Sequence, residues 1–146
     1  MARHIVWERQ RDNMNKIIVP ARIDLLPSVL EFIEGGMAEA GVSGRDQNSV
    51  AVAAEEIFVN ITNYAYPSGE GDVTVQMDAK RNKIILEFID SGIPFDPLHN
   101  VDPDTSLQAG DREIGGLGIY MVKKMMDEVE YRYVEGHNVL ALRKNF

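Results

Sequence analysis

The sequence predicts an α+β fold, a two-layer sandwich in which helices cover one face of a mostly antiparallel, mixed sheet. The first observation is the order of the periodic segments, which is strand, helix, helix, strand, strand, loop, helix, strand, strand. The second is that residues 73–77 and 83–89, and residues 130–134 and 139–143, are strand pairs joined by short polar turns, as in antiparallel hairpins. At 146 residues the chain is long enough for one such domain.

The first part of the chain predicts an arm, a strand and a helix. Residues 1–14 carry little pattern, so we expect an N-terminal arm, with an extra edge strand around residues 5–7 as the alternative, followed by one domain over residues 15–146. Residues 16–20 form a short strand that ends at Pro20, because proline cannot continue a ladder. Asp24 is a candidate N-cap for a helix that runs to Gly41. Its apolar positions recur at helical spacing at Leu26, Val29, Leu30, Ile33 and Met37, although Gly35 and Gly36 weaken its second half.

A second helix begins after Ser43 and runs to Pro67. Its apolar side gathers Val50, Ala54, Ile57, Phe58, Ile61, Tyr64 and Ala65. Three polar residues, Glu56, Asn60 and Asn63, gather on the other side within roughly 60° of one another, at about 100° per residue. A polar stripe on a helix is usually only its solvated face, so this pattern gains meaning only from the rest of the chain.

The last third of the chain predicts a loop, a helix and a hairpin. Residues 98–114 show no periodicity, and a loop of that length in a compact domain is typical of a lid or a binding loop, with disorder as the alternative. A glycine-rich run then opens a helix. The apolar side of this helix is predicted to hold Leu117, Met121, Val122, Met125 and Met126.

Composition excludes several functions. The net charge of −8 and the pI near 4.8 argue against direct binding to nucleic acid or to an anionic membrane. The absence of cysteine excludes disulfides, thiolate metal sites and a cysteine nucleophile. No apolar run has the length of a signal or membrane segment, so we expect a cytoplasmic location. The P-loop, the dinucleotide fingerprint and the signatures of the ordinary protein kinases are missing as well.

Three elements, in a fixed order along the chain, carry residues that can bind a nucleotide. Asn60 offers a neutral oxygen to Mg²⁺, which prefers oxygen ligands. Asp90, at the end of a strand, can accept a hydrogen bond from an exocyclic amino group, and Gly92 lets a flat ring lie against the backbone. The glycine-rich helix start exposes backbone N–H groups to an anion, at Gly115, Gly116 and Gly118.

With these residues the chain resembles the ATPase superfamily shared by gyrase, the histidine kinases and the MutL repair proteins, which has the Bergerat fold. The resemblance is carried by Glu56-x-x-x-Asn60, by Asp90-x-Gly92 and by Gly115-Gly116-Leu117-Gly118. The short single-domain form and the run at residues 116–122 are most similar to the bacterial anti-sigma-factor serine kinases.

The resemblance implies a role for each matching residue. Glu56 is expected to be the general base that accepts the proton of a serine hydroxyl, and Asn60 is expected to hold Mg²⁺. Asn63 is placed near the phosphates of ATP. Asp90 is expected to bind the adenine amino group beside Gly92 and Ile93. The phosphates are assigned to the glycine box, Gly115, Gly116, Leu117 and Gly118, beneath a closing loop at residues 98–114.

The resemblance also implies partners, and it leaves alternatives open. The expected function is that of an ATP-dependent serine-protein kinase that phosphorylates a small antagonist protein. A sigma factor is expected as a second partner, and many members of the family form homodimers. One alternative is an ATP-binding module that switches partner binding without phosphotransfer. Another is the detached ATP-binding half of a histidine kinase, which is disfavoured because no helical hairpin with an acceptor histidine precedes the domain. Two positions depart from some members: Tyr64-Ala65 replaces a His-Gly pair, and Arg112-Glu113-Ile114 replaces an arginine directly before the glycine box.

Overall fold

The structure is a computed structural model that describes residues 14–99 and 114–146. The five strands in these residues are β1 (Asn15–Pro20), β2 (Asp72–Lys80), β3 (Lys83–Asp90), β4 (Glu128–Val134) and β5 (His137–Asn145). The three α-helices are α1 (Leu26–Ala40), α2 (Gly44–Tyr64) and α3 (Ile114–Met125). The predicted arm, except Met14, and most of the predicted loop at residues 98–114 lie outside the described residues.

The strands form one sheet in the order β1-β2-β3-β5-β4. The predicted α+β sandwich is confirmed, and all four described strand pairings are antiparallel, so these strands do not form the mixed sheet that we expected. The register aligns Val73 of β2 with Asp90 of β3 and aligns Asp90 in turn with Asn138 of β5. The end of β3 and the start of β5 therefore lie side by side.

The core lies between the helices and one face of the sheet. Side chains from α2 such as Ile57 and Phe58 are fully buried there, against sheet residues such as Leu86 and Phe88. Alternation along the strands explains the choice of face, because Val75, Phe88 and Leu140 occupy register positions on the same side. The core places α2 directly above the end of β3.

The start and the middle of α1 differ from the prediction. Asp24 does not cap the helix, because its carboxylate pairs with the Arg22 guanidinium 3.0 Å away and a short 3-10 turn, Ile23–Leu25, precedes α1. The helix also continues without a break through its two glycines to Gly41, whose φ of 86° ends it. Gly36 lies where α1 crosses β2, since a Cβ atom there would overlap the side chain of Met77.

Tyr64 and Met121, two residues predicted in the apolar core, are exposed. Tyr64 is 45% exposed at the C-terminal end of α2, where its ring stacks on that of Phe95. Met121 is 37% exposed. Among the described side chains of α3, Ile119 and Val122 lie on the buried side, and Met126, directly after the helix, is buried as well. The predicted start of α2 is correct, since the Ser43 hydroxyl accepts a hydrogen bond from the Asp46 backbone N–H.

Candidate nucleotide-binding site

A pocket open to solvent lies between the C-terminal half of α2 and the sheet. Most of the lining is apolar or aromatic, from Ile57, Ile61, Tyr64, Ala65, Phe88, Ile93, Phe95, Pro97, Tyr131 and Leu140. From the described part of the chain, the polar side chains of Asn60, Asp90 and Asn138 join it. An apolar pocket with a few convergent polar groups suits a flat aromatic ring that carries its own hydrogen-bonding groups.

Among the described residues, Asp90 is the one carboxylate that lines this pocket, and it is only 5% exposed. Its Oδ1 atom accepts hydrogen bonds from the Gly92 backbone N–H at 2.9 Å and from Asn138 Nδ2 at 2.8 Å. Within residues 14–99 and 114–146, its Oδ2 atom accepts no hydrogen bond. The carboxylate is therefore held by one oxygen and retains an acceptor on the other.

Asn138 was not singled out in the sequence, where it falls in the turn predicted between the last two strands. The structure places it inside β5, 6% exposed and opposite Asp90. Besides its bond to Asp90, its Nδ2 donates to the Ile93 carbonyl at 2.9 Å, and its Oδ1 accepts from the Phe95 backbone N–H at 3.1 Å. The Tyr131 hydroxyl donates to the same Oδ1. A polar residue directly before the apolar run at residues 139–142 is a weak signal, so the sequence could not reveal this role.

The loop that follows β3 packs against the end of α2. The Ile93 backbone N–H donates to the Ala65 carbonyl at 3.0 Å. A Cβ atom at Gly92 would overlap that same carbonyl oxygen, so only glycine allows the loop to approach so closely. Gly92 thus sets the distance between the loop and the helix and is absent from the pocket lining, whereas Ile93 lines the pocket.

Two aromatic rings lie side by side among the lining residues. The rings of Tyr64 and Phe95 have centroids 5.6 Å apart and planes inclined by 27°. Both side chains remain partly exposed, at 45% and 37% respectively. The pair offers apolar ring surface close to solvent, which is consistent with a pocket that admits a planar group from outside.

The polar stripe of α2 separates into three environments. Asn60 lines the pocket, Glu56 is half-buried against α3, and Asn63 is exposed and outside the lining. The Glu56 carboxylate lies beside Gly118, where a Cβ atom would overlap its Oε2. Gly118 is buried in the first half of α3, and the structure assigns Gly115, Gly116 and Leu117 to the first turn of that helix. The structure thus brings Glu56 next to the last glycine of the predicted box, and Asn60 and Asp90 into one pocket.

Two tyrosines beside the site have raised pKa values. Burial is the main cause at Tyr131, with a smaller contribution from the negative charges of Asp96 and Asp90. Burial also raises the pKa of Tyr66, whose hydroxyl donates to the Asp72 carbonyl at 2.7 Å and accepts from the Ser91 backbone N–H at 2.8 Å. Both hydroxyls therefore stay protonated at neutral pH and act as neutral hydrogen-bonding groups next to Asp90.

Two kinds of feature are absent among the described residues, a membrane-spanning helix and a metal-binding cluster. None of their helices is both long and apolar enough to cross a membrane. Nor do they bring together three or more His, Asp or Glu side chains that could hold a metal ion.

Comparisons with known proteins give one consistent result. Residues 19–144 match the family described as "Histidine kinase-like ATPase domain". The chain is 25% identical over 129 residues to the serine-protein kinase RsbW of Bacillus thuringiensis (strain Al Hakam), covering 86% of this chain and 81% of the relative. The same coverage and identity hold over 130 residues for RsbW of Bacillus anthracis.

A solved structure gives the same fold. The chain resembles the structure of the RsbU and RsbW domains of Rv1364c from Mycobacterium tuberculosis with a TM-score of 0.62. The match has 15% sequence identity and covers 90% of this chain but only 32% of the other. This chain thus spans about a third of that protein, and at such low identity the likeness shows the fold alone.

Proposed function

The chain belongs to the histidine kinase-like ATPase domain family, and from this premise we propose that it is an ATP- and Mg²⁺-dependent serine-protein kinase of the anti-sigma type. The resemblance to the anti-sigma-factor serine kinases is confirmed by relatives named serine-protein kinase RsbW. The proposed reaction transfers the γ-phosphoryl group of ATP to the serine hydroxyl of a small antagonist protein.

One observation carries the nucleotide part of the proposal. Asp90 lines an apolar pocket, is held through Oδ1 and keeps Oδ2 as an acceptor among the described residues. An ionised carboxylate only accepts hydrogen bonds, so it selects a ring that carries a donor, such as the amino group of adenine. The aromatic and aliphatic walls around it supply contact area for the two faces of the ring.

The residues around the pocket fit the remaining parts of ATP and its metal. We assign Asn60, which lines the pocket from α2, to Mg²⁺, and Asn63 to the neighbourhood of the phosphates. When bound, the metal neutralises charge on the phosphate oxygens. The N–H groups of Gly115, Gly116, Leu117 and Gly118 at the start of α3 are suited to the phosphates, because a helix N-terminus favours negative charge.

Glu56 is assigned as the general base. It is half-buried beside Gly118, at the start of the helix to which the phosphates are assigned. In the proposed step Glu56 accepts the proton of the serine hydroxyl while the serine oxygen bonds to the γ-phosphorus and the bond to ADP breaks. Because positioning and charge stabilisation supply most of the catalysis in phosphoryl transfer, this proposal needs only one carboxylate and the phosphate-binding helix start.

Partners and location belong to the same proposal. We propose that an antagonist protein supplies the acceptor serine, that a sigma factor binds the nucleotide-bound state, and that the chain forms a homodimer in the cytoplasm as a regulator of transcription. The net charge of −8 supports a protein partner over direct contact with nucleic acid.

The first experiment measures nucleotide binding without any partner. ATP with Mg²⁺ at about 100 times its dissociation constant should stabilise the chain by roughly 2.7 kcal/mol, seen as a rise in Tm. Asp90→Asn should remove most of that rise, since the amide can turn a donor toward the adenine amino group. The half-buried Asp78, near the opposite end of the hairpin, provides a matched Asp78→Asn control that should keep the full rise.

The second experiment separates phosphotransfer from binding. Glu56→Gln should still be stabilised by ATP with Mg²⁺ but should transfer no labelled phosphate to the antagonist protein, because the carboxamide accepts no proton. An antagonist whose acceptor serine is changed to alanine is the control for the site of labelling. If the wild-type chain binds ATP and partners yet labels nothing, the chain is instead a binding module that ATP switches.

A further inference from the structure

Asn138 uses every hydrogen bond that its side chain can make. A carboxamide offers two N–H donors and one oxygen with two acceptor positions. In Asn138 the donors go to Asp90 Oδ1 and to the Ile93 carbonyl, and the oxygen accepts from Phe95 N–H and from the Tyr131 hydroxyl. The residue is 6% exposed, so a lost bond would leave a buried polar group without a partner.

The surroundings fix the orientation of this amide. Two donors surround its oxygen, and two acceptors, a carboxylate and a carbonyl, surround its nitrogen. If the amide were flipped, three of the four contacts would pair a donor with a donor or an acceptor with an acceptor. Only the tyrosine hydroxyl can both donate and accept a hydrogen bond. Nδ2 therefore has to point at Asp90, which binds Oδ1 and leaves Oδ2 as the acceptor.

We propose that Asn138 is a positioning residue that makes Asp90 specific for a purine with a 6-amino group. This inference rests on the proposed function, because it assigns the adenine amino group to Asp90. Two donors on Oδ1, from Gly92 N–H and Asn138 Nδ2, prevent rotation of the carboxylate. A fixed carboxylate presents Oδ2 as an acceptor without reorganisation when the ligand arrives. Asn138 itself has no hydrogen-bonding capacity left for the ligand.

The test compares two ligands that differ in one amino group. ATP and purine riboside 5′-triphosphate, which lacks the 6-amino group, are titrated calorimetrically against the wild-type chain and Asn138→Asp at pH 8.5. The variant keeps the shape and the accepting oxygen but replaces the donor toward Asp90 by a second oxygen. The dissociation constant for ATP should rise at least about tenfold, while that of the analogue changes by less than about twofold, because the analogue does not use Asp90 Oδ2.

Two further variants make the comparison secure. Asn145→Asp introduces the same change at the exposed opposite end of β5, so both dissociation constants should stay at the wild-type values. Asn138→Leu removes the donor without adding a buried charge. It should show the same loss for ATP alone, and it carries the test if Asn138→Asp does not fold.

The outcomes separate this inference from the proposed function. An equal loss for both ligands, or no loss for ATP, overturns the positioning role and leaves nucleotide binding intact. If the wild-type chain binds neither triphosphate, the proposed function itself fails and the inference fails with it. A loss confined to ATP supports both, because a merely structural role of Asn138 would weaken the two ligands alike.

Discussion

The Glu56 carboxylate lies directly against the backbone of Gly118, so that a Cβ atom at position 118 would overlap Glu56 Oε2. The two residues belong to α2 and α3, which pack side by side. The proposed general base therefore lies next to the proposed phosphate site. Because glycine has no side chain, position 118 leaves room for the Glu56 carboxylate.

Gly118→Ala should therefore reduce phosphotransfer while it spares the fold. The added methyl group displaces only the flexible end of Glu56, and alanine favours the helix by up to about 1 kcal/mol. A displacement of the base by about 1 Å can cost about 100-fold in rate, so we expect a loss of that order. Labelling of the antagonist protein measures the rate, and chemical denaturation measures stability.

The control for this prediction is Gly44→Ala at the start of α2. A Cβ atom there has open space around it, so the variant tests the same exchange near a helix N-terminus without touching the site. It should retain wild-type transfer. Wild-type transfer in Gly118→Ala as well would contradict the role assigned to the contact.

Gly92→Ala should damage both the fold and the pocket. The new Cβ atom would overlap the backbone carbonyl of Ala65, which cannot move as a side chain can, and the 3.0 Å bond from Ile93 N–H to that carbonyl would be strained. We expect a loss of about 1–3 kcal/mol in the free energy of unfolding, together with weaker ATP binding. Denaturation and calorimetry measure the two effects.

Gly69→Ala is the matched control, since it lies in the preceding turn with no atom within 4 Å of the added Cβ. Its stability should stay within about 0.5 kcal/mol of the wild type. If Gly92→Ala matched this control, the close approach of the loop to α2 would not matter for stability.

The fold could be predicted from the sequence because its signals are local. Alternation in β2 and helical spacing in α2 each report which face is buried, and all eight strands and helices occur in the predicted order. The errors at Tyr64 and Asp24 arise from side-chain contacts that periodicity does not report, the first distant in the sequence and the second local. Tyr64 fits the apolar side of α2 but leaves the core to stack on Phe95, and Asp24 pairs with Arg22 instead of capping α1.

The candidate site was predictable only where its residues fall in a recognisable motif. Asn60 and Asp90 occur in such motifs, and the structure places both in one pocket. Asn138 has no motif, because its importance depends on the register that aligns it with Asp90. Tyr131 and Tyr66 were missed for the same reason, since a hydroxyl acquires its partners only when the sheet forms.

Two adjacent glycines of α1 should respond in opposite ways to the same substitution. Gly35→Ala places a methyl group in open space and should raise the free energy of unfolding by about 0.5–1 kcal/mol through helix propensity. In Gly36→Ala the new methyl group would overlap the buried end of Met77, so the free energy of unfolding should fall by about 1 kcal/mol. Urea denaturation compares them. Equal changes would show that the crossing of α1 over β2 is looser than the structure indicates.

Tyr66 should make stability depend on alkaline pH. Burial raises its pKa above the ordinary value of 10.0, so the folded state favours the protonated hydroxyl. A raised folded pKa gives a contribution that is complete below the unfolded pKa and lost as pH rises through the folded one. The free energy of unfolding should therefore begin to fall above about pH 10. Denaturation curves between pH 8 and 11 measure it.

Tyr66→Phe shows how much of the fall in the free energy of unfolding is caused by ionisation of Tyr66. At pH 8 the variant should be less stable by about 1–2 kcal/mol, because the Ser91 N–H loses its partner. Above pH 10 the difference in the free energy of unfolding between the variant and the wild type should become smaller, since phenylalanine has no proton to lose. The exposed Tyr133, whose hydroxyl makes no hydrogen bond within the described residues, gives the control Tyr133→Phe. A difference that stays constant to pH 11 would show that Tyr66 ionises as readily in the folded chain as in the unfolded one.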